Sequence, residues 1–401
     1  MRARLLAVFS VATLSACGAE TTAPPAEPDA STVLDVSVAP GDVATPEVSV
    51  VDVSPAMDVS PAMDVSPVMD VPRVADAPRV DARPADPPVD IRNPVINRNW
   101  ADPFILRVGR RYHAFATAGS FGGEHRNIQH AVSDDLARWT LDRDAMPRLA
   151  GWIDPAEPNT WAPGVLAVSS SRYVLFYSAH LRGTPSQKCV GRAVSDTPQG
   201  PYVDDFGGPL ICDTEGPTRP WAIDPSPFRA PGGGLWLLWR QDIGGGVNTA
   251  AIRRLADNGA AFMSGSRAVT LLRRDDSGWE APILENPAMI AGPGSRFTLF
   301  YSGNQWRTAS YAVGYAVCDS PTGPCTRRTV DRPWFRSRGA FAGPGGEDFF
   351  TDADGDRWMS WHAWPADRVG PERGERSLWI GRFRFVGGEP EVTPEPVRAG
   401  F

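Results

Sequence analysis

The hydrophobic residues of this chain cluster in short aromatic runs that return at regular intervals. Five such runs, each six residues long, span residues 112–117, 173–178, 235–240, 297–302 and 358–363. Runs of this length and composition favour β-strands, because a buried helix needs more residues. A second apolar run follows each of them, at residues 128–134, 190–196, 248–253, 313–319 and 377–383. The pattern predicts a pair of antiparallel strands repeated five times along the chain.

The repeated unit is about sixty residues long. Extending each unit back by one strand places its opening near Asp102, Trp161, Asp224, Glu285 and Glu347, in steps of 59, 63, 61 and 62 residues. Five such units predict an all-β fold, a five-bladed β-propeller with antiparallel four-stranded blades. A β-sandwich would leave the ordered recurrence of the paired runs unexplained. Because the first strand of each propeller blade lines the central axis, residues at the five openings are expected to converge on one pocket.

The first 92 residues have a different character. Arg2 and Arg4 precede an apolar run at residues 5–14, which is typical of a secretory signal and too short for a membrane span. The run ends in Leu-Ser-Ala-Cys17, which resembles a bacterial lipobox and predicts lipidation of Cys17; an ordinary signal peptide with a chance cysteine is the alternative. We therefore interpret residues 1–17 as a lipoprotein signal peptide, residues 18–92 as a disordered linker rich in Pro, Asp, Val and Ser, and residues 93–401 as the propeller domain. The protein is expected to be exported and lipid-anchored at the bacterial cell envelope, at the outer membrane or surface, or otherwise secreted.

Charge and cysteine content narrow the classes of function. The 401 residues carry a formal net charge of −7 without a basic field, which argues against nucleic acid as a partner. Four cysteines remain after Cys17, and an even number in an exported chain favours two disulfides over metal ligation. Proximity in sequence favours the pairs Cys189–Cys212 and Cys318–Cys325, each within one blade, although four cysteines allow three pairings.

Acidic residues stand at three of the five blade openings. Asp102 lies in Trp-Ala-Asp-Pro-Phe, Asp224 in Trp-Ala-Ile-Asp-Pro-Ser-Pro-Phe and Glu285 in Pro-Ile-Leu-Glu-Asn-Pro. Taken alone, Asp102 would be interpreted as a turn residue before proline. Three carboxylates around one axis cannot all ionise cheaply, so at least one pKa should rise, which provides both a proton donor and a base. Glycoside hydrolysis needs such a set, and the neighbouring Trp100, Trp161 and Trp221 offer flat faces for a sugar ring.

The chain from about residue 93 to residue 387 resembles glycoside hydrolase family 43, which comprises five-bladed arabinosidases, arabinanases and xylosidases. The order and spacing of several short segments carry the resemblance. They are Asn93-Pro-Val-Ile, Trp100-Ala-Asp-Pro-Phe, Ser133-Asp-Asp-Leu-Ala-Arg-Trp, Trp161-Ala-Pro-Gly-Val, Ile223-Asp-Pro-Ser-Pro-Phe, the Glu285 segment, Tyr301-Ser-Gly-Asn and Val313-Gly-Tyr-Ala.

The resemblance implies a role for each acidic position. Asp102 corresponds to the general base that activates water, Glu285 to the general acid, and Asp224 to the carboxylate that raises the pKa of the acid and orients it. The family inverts configuration at the anomeric carbon. His362 falls where many members carry an axial histidine bound, directly or through water, to a structural calcium or sodium ion; a satisfied core histidine is the alternative. The chemistry itself requires no cofactor. The sequence departs from the family at Asn286, where glycine or alanine is more usual.

The sequence therefore predicts an inverting glycoside hydrolase that cleaves arabinose- or xylose-containing plant polysaccharides or oligosaccharides. The protein is expected to act as a monomer. The alternative is a non-catalytic carbohydrate-binding propeller displayed on the cell surface, in which the carboxylates only hydrogen-bond sugar hydroxyls. Because a binding module has no need of all three acidic residues, their presence favours catalysis. The choice between arabinose and xylose, and between internal and terminal cleavage, depends on loops that the sequence pattern does not define.

Overall fold

A computed structural model describes residues 90–212, 221–243, 246–394 and 396. The predicted signal peptide, Cys17 and nearly all of the predicted linker lie outside the described residues. Those described form β-sheets almost throughout, and their single helical element is a 3₁₀ turn at Pro293–Ser295. Within this part of the chain, no helix has the length and apolar character needed to cross a membrane.

The first two blades contain nine strands. They are β1 (Phe104–Val108), β2 (Arg111–Ala116), β3 (Gly119–Phe121), β4 (Glu124–Arg126), β5 (Gln129–Ser133), β6 (Thr140–Leu141), β7 (Thr160–Ser169), β8 (Arg172–Leu181) and β9 (Thr184–Ser195). Blade one is the sheet β1-β2-β5-β6, from which the β3–β4 hairpin projects, and blade two is the sheet β7-β8-β9.

The other three blades each contain four antiparallel strands, in sequence order from the inner to the outer edge. Blade three has β10 (Ala222–Arg229), β11 (Leu235–Asp242), β12 (Asn248–Arg254) and β13 (Val269–Arg273). Blade four has β14 (Leu284–Ala291), β15 (Phe297–Gly303), β16 (Ala312–Cys318) and β17 (Cys325–Arg327). Blade five has β18 (Phe341–Thr351), β19 (Arg357–Pro365), β20 (Ser377–Val386) and β21 (Glu389–Pro394).

The five inner strands close into a ring. Each contacts the next in the order β1, β7, β10, β14 and β18, and β18 contacts β1 again. This arrangement confirms the predicted five-bladed propeller. Blade two differs from the predicted four strands, since two isolated antiparallel bridges, Val194–Val203 and Val190–Ile211, stand where a fourth strand would be. Pro198 and Pro201 explain the difference, because neither has the backbone N–H that a strand ladder requires.

The start of the domain is attached to blade five. Asn93 is completely buried, and its side chain donates to the carbonyl of Ile380 at 2.7 Å and accepts from the N–H of the same residue at 2.9 Å. The N–H of Val95 donates to the carbonyl of Leu378 at 2.9 Å. The Asn-Pro-Val-Ile segment thus joins the first and last parts of the domain, which explains its place in the sequence pattern.

The four cysteines of the propeller form two disulfides. Cys189 on β9 is paired with Cys212, and Cys318 on β16 is paired with Cys325 on β17. Each bond lies within one blade, in the pairing that sequence proximity favours.

A buried histidine pair lies in blade one, between β2 and β5. Nδ1 of His113 is 3.1 Å from Nε2 of His130, and Nδ1 of His130 is 3.2 Å from Oδ2 of Asp142. Burial lowers the pKa of each histidine to about 4, with a smaller contribution from the charge of Arg111 for His113 and from His113 itself for His130. Both rings are therefore neutral in the folded protein at physiological pH.

This pair makes the stability of the propeller sensitive to acid. An unfolded histidine has a pKa near 6.5, so the unfolded chain takes up protons before the folded chain does. The stabilisation is complete above about pH 6.5 and is lost progressively as the pH falls towards about 4. We expect the free energy of unfolding, measured by urea denaturation, to fall less steeply between pH 7 and pH 4.5 in His113→Leu than in the wild type. His125→Gln, on the exposed β4, is the control and should keep the wild-type slope; an unchanged slope in His113→Leu would contradict the prediction.

Candidate active site

Each blade has a kink at one residue in left-handed backbone conformation, which lies just before β1, near the start of β7, β10 and β14, and in the middle of β18. These residues are Asp102 (φ 51°), Ala162 (φ 46°), Asp224 (φ 57°), Asn286 (φ 49°) and Gly346 (φ 59°). They are separated by 60, 62, 62 and 60 residues, and the first four precede a proline. All five line one pocket on the propeller axis. The convergence expected from the sequence is thus present, although in blades two, four and five the kink lies one residue from the predicted opening.

Four of these kinks are each fixed by a hydrogen bond to a side chain near the end of the second strand of the preceding blade. In each case it accepts the backbone N–H of the kink residue in the next blade. The pairs are Thr117 with Ala162 at 3.0 Å, Ser178 with Asp224 at 2.9 Å, Ser302 with Gly346 at 2.9 Å and His362 with Asp102 at 3.0 Å. His362 closes the ring from blade five to blade one. These bonds compensate for the cost of left-handed backbone at residues other than glycine.

Blade three departs from this rule, and the departure creates the polar side of the pocket. Arg240 occupies the corresponding position at the end of β11, and the N–H of Asn286 instead donates to Oδ2 of Asp224 at 3.2 Å. Arg240 is buried and directs Nη1 to Oε2 of Glu285 at 2.9 Å and Nε to Oδ1 of Asp242 at 2.9 Å. In the other blades this strand position binds the backbone of the next kink, whereas Arg240 binds the carboxylates of Glu285 and Asp242.

Asp102 is held by neighbours on both sides. The hydroxyl of Thr117 donates to Oδ2 at 2.7 Å, and Nη1 of Arg376 lies 4.0 Å from Oδ1. The side chain keeps 14% of its surface exposed, on the axial pocket. Its carboxylate is therefore fixed in orientation and accessible to a water molecule or substrate.

Asp224 has a different electrostatic environment. Its pKa is raised well above the ordinary value, first by burial and then by the negative charges of Glu285 and Asp102. The rise in pKa that three clustered carboxylates predict is thus found at Asp224. Proximity of the three groups follows from the kinks, since they bring β1, β10 and β14 to the same axis.

Glu285 lies in β14, one residue before the kink. Its Oε2 accepts from Arg240, and its Oε1 accepts from the hydroxyl of Tyr311 at 2.8 Å. The side chain of Glu285 is only 11% exposed, and these two donors fix the orientation of its carboxyl group. In blade four the pocket wall is formed by Asn286 and Pro287. Glu285 lies close enough to the pocket residue Asp224 for its charge to raise the pKa of that carboxyl group.

Tyr311 links the two sides of the site. It is completely buried, its ring stacks on His362 with centroids 5.9 Å apart, and its hydroxyl also accepts from the side chain of Asn286 at 3.1 Å. Burial and the charge of Glu285 raise the pKa of Tyr311 well above the ordinary value, so the hydroxyl remains a donor. No motif or periodic pattern in the sequence marks Tyr311, which directly precedes β16.

Space for Tyr311 depends on Gly345 of β18. A Cβ atom there would overlap the Tyr311 ring and lie 2.8 Å from Oγ of Ser302. We expect Gly345→Ala to destabilise the protein by roughly 1–3 kcal/mol, the usual cost of overpacking, measured by urea denaturation. Gly151→Ala is the matched control, since no atom lies within 4 Å of its Cβ position. Equal stability of the two variants would show that Tyr311 has room to move.

The three tryptophans predicted to support a sugar ring differ in position. Trp100 is only 1% exposed and packs in the core with Ile105, so it presents no face to a substrate. Trp161 and Trp221 are partly exposed, and Nζ of Lys188 lies 5.3 Å and 3.6 Å from their ring centroids. Trp100 is excluded as a platform because its side chain is packed in the core.

The predicted metal position, His362, is surrounded by polar partners. It is completely buried; Nδ1 accepts from the N–H of Asp102, and Nε2 lies 3.4 Å from Nη1 of Arg376. Burial and Arg376 lower its pKa well below the ordinary value, so the ring is neutral. Across residues 90–212, 221–243 and 246–394, no cluster of three or more His, Cys, Asp or Glu side chains could hold a metal ion. Because Nδ1 accepts the N–H of Asp102 and Nε2 faces the guanidinium of Arg376, the imidazole offers no lone pair to the axial cation that the resemblance implies.

Comparison with known proteins gives a consistent result. A family model described as glycosyl hydrolases family 43 matches residues 91–390. The chain is 27% identical over 257 residues to an extracellular endo-α-(1→5)-L-arabinanase of Thermotoga petrophila, across 56% of this chain and 50% of that protein. It is 28% identical over 243 residues to a β-D-galactofuranosidase of Aspergillus niger, across 58% of this chain and 64% of that protein. The chain thus spans about half the length of the first relative and under two thirds of the second.

A solved structure agrees in fold. The crystal structure of an endo-1,4-β-xylanase from Bacteroides thetaiotaomicron superposes with a TM-score of 0.61 at 26% identity, covering 75% of this chain and 97% of that one.

Proposed function

The chain belongs to glycoside hydrolase family 43, and from this premise we propose that it hydrolyses O-glycosidic bonds with inversion of configuration. The observation that carries the proposal is the proximity of three acidic groups with different hydrogen-bond partners: Asp102 and Asp224 line the axial pocket, and the charges of Glu285 and Asp102 both act on Asp224. Acid–base hydrolysis of a glycoside requires carboxyl groups in different environments around one site.

The proposed reaction is a single displacement. Asp102 accepts a proton from a water molecule while the water oxygen forms a bond to the anomeric carbon. Glu285 donates a proton to the leaving oxygen as the glycosidic bond breaks. Asp224 accepts the N–H of Asn286, so it ties the strand that carries Glu285 to blade three. Attack and departure on opposite faces of the sugar ring invert the configuration.

Arabinose- or xylose-containing plant polysaccharides and oligosaccharides are the proposed substrates. The relatives support this class, since they are described as an arabinanase, a galactofuranosidase and a xylanase. The partly exposed Trp161 and Trp221 support binding of a flat sugar ring beside the acidic cluster.

We also propose that the protein acts outside the cytoplasm as a monomer, anchored by lipid at Cys17. The signal pattern of residues 1–17 supports this, and one relative is described as extracellular. Fractionation of cells that express the full chain or Cys17→Ala tests the anchor. The wild type should stay with the membrane and the variant should not; membrane retention of both would contradict lipidation at Cys17.

The activity is tested on aryl α-L-arabinofuranoside, aryl β-D-xyloside, linear arabinan and arabinoxylan. Wild-type protein should hydrolyse at least one of them, and NMR during the reaction should show the inverted anomer first. Chromatography of the products then separates internal from terminal cleavage. Protein that binds these sugars by calorimetry but hydrolyses none would be a carbohydrate-binding propeller instead.

A further inference from the structure

We propose that the guanidinium of Arg376 takes the place of the axial cation that the family resemblance implies, so that the fold and the reaction of this protein need no metal ion. Arg376 would then be a positioning residue for Asp102 rather than a group that touches the substrate. The part of the proposal that concerns hydrolysis rests on the proposed function; the part that concerns metal binding does not.

The hydrogen bond from Asp102 decides the tautomer of His362. Nδ1 accepts the N–H of Asp102 at 3.0 Å, so the proton is on Nε2, which then has no lone pair for a metal ion. A proton on Nδ1 would oppose the N–H of Asp102, and the lone pair left on Nε2 would face Nη1 of Arg376 at 3.4 Å. In neither tautomer does the imidazole present a lone pair to a cation.

The hydrogen bond of His362 across the propeller closure accounts for a buried histidine at this position without a metal ion. Thr117, Ser178 and Ser302 accept a kink N–H from the next blade, and His362 does the same for Asp102. Its position is thus set by closure of the propeller. Coordination of an ion is not needed to account for a buried histidine there.

Arg376 is held firmly beside this histidine. Its guanidinium carbon lies 4.4 Å from the ring centroid of Trp306 and 5.9 Å from that of Trp364, and the side chain is 15% exposed. The two indoles stack with centroids 6.2 Å apart, and Nε1 of Trp364 donates to the carbonyl of Trp306 at 2.9 Å. Cation–π contacts with a preformed indole pair keep the charge in place.

The charge lies where it can act on the base. Nη1 of Arg376 is 4.0 Å from Oδ1 of Asp102, and the opposite oxygen is held by Thr117. A guanidinium cannot dissociate or lose its proton in water, so it supplies a permanent positive charge. A second cation in contact with His362 would be repelled by it at short range.

The metal arm of the test needs no substrate. Wild-type protein dialysed against EDTA and then against millimolar CaCl2 should contain no stoichiometric calcium by mass spectrometry, and its Tm should be the same in both buffers. Replacing sodium chloride with choline chloride should leave the Tm unchanged as well. One calcium per chain that disappears in His362→Gln, or a Tm that falls in EDTA or choline and recovers with the ion, would overturn the proposal.

The charge arm uses variants. Arg376→Ala should lower kcat at least about ten-fold with a smaller change in KM, because a misplaced base slows attack more than binding. Guanidinium chloride at millimolar concentration should restore part of kcat, and Arg376→Lys should retain more activity than Arg376→Ala. Arg382→Ala is the matched control, since Arg382 also lies over an indole, Trp358, at 4.7 Å but far from the axis; it should behave as wild type with and without guanidinium. Unchanged kcat in Arg376→Ala, or loss that neither lysine nor guanidinium restores, would overturn the role of the charge.

The two arms separate the proposals. If the wild type hydrolyses none of the substrates, the proposed function fails while the metal arm still decides whether Arg376 replaces the ion. If the wild type is active and binds an axial calcium, the proposed function stands and this inference fails.

Discussion

Asp102→Asn should lower kcat by about 10³-fold, within the range that general acid–base catalysis contributes. Asparagine has nearly the same shape and can still accept the hydroxyl of Thr117, but it cannot take a proton from water. Because the lost step is activation of the nucleophile, the loss should be the same for substrates with good and poor leaving groups. Steady-state kinetics on a series of aryl glycosides measures both points.

Asp134→Asn is the control for this prediction. Asp134 pairs with Arg111 on the surface of blade one, with 69% of its side chain exposed, and faces neither the axis nor a catalytic candidate. Its replacement should leave kcat unchanged. An Asp102→Asn protein that keeps more than about a tenth of wild-type kcat would remove Asp102 from the role of general base.

Glu285→Gln should produce a loss that depends on the leaving group. The carbonyl oxygen of glutamine can still accept from Arg240 while its amide faces the hydroxyl of Tyr311, which can also accept, so the site should keep its shape, but glutamine cannot protonate the leaving oxygen. We expect kcat to fall by about 10³-fold on arabinan or alkyl glycosides, and by less than about ten-fold on dinitrophenyl glycosides, whose leaving group needs no proton. The measurement is a plot of log kcat against the leaving-group pKa, which should be steeper in the variant.

Blade four supplies a matched control for the acid. Glu280 is also buried and also has a tyrosine and an arginine as partners, with Tyr301 at 2.6 Å and Arg327 at 2.7 Å. Unlike Glu285, it is not among the charges that act on Asp224 in the axial pocket. Glu280→Gln should cost stability without changing the dependence on the leaving group. The same loss on all leaving groups in Glu285→Gln would exclude Glu285 as the acid.

Much of the fold could be predicted from the sequence because each blade is local. A strand and its partners lie within about sixty residues, so the aromatic runs repeat with the period of the blade. The missing fourth strand of blade two also has a local cause, since Pro198 and Pro201 lie in the segment that would form it. Disulfide pairing follows the same logic, because each bond joins cysteines of one blade.

Only part of the candidate active site could be predicted from the sequence. Asp102 and Asp224 share a signal, an acidic residue before proline at a blade opening, and the structure places both at axial kinks. Arg240 and Tyr311 contact Glu285 across 45 and 26 residues, from positions with no motif of their own. The prediction that Trp100 contacts the substrate was wrong. Trp100 is close to Asp102 in the sequence, but its side chain packs in the core.

The propeller, its five units and the acidic positions around the axis could be predicted from the chain alone, because strand periodicity and turn residues act within one blade. The charges that meet at the axis depend on how the blades pack together. Asp224 acquires its raised pKa, Glu285 its donor Arg240 and Asp102 its neighbour Arg376 only when separate blades close into a ring. Electrostatic interaction depends on distance and burial, and both are set by that closure rather than by any neighbour along the chain.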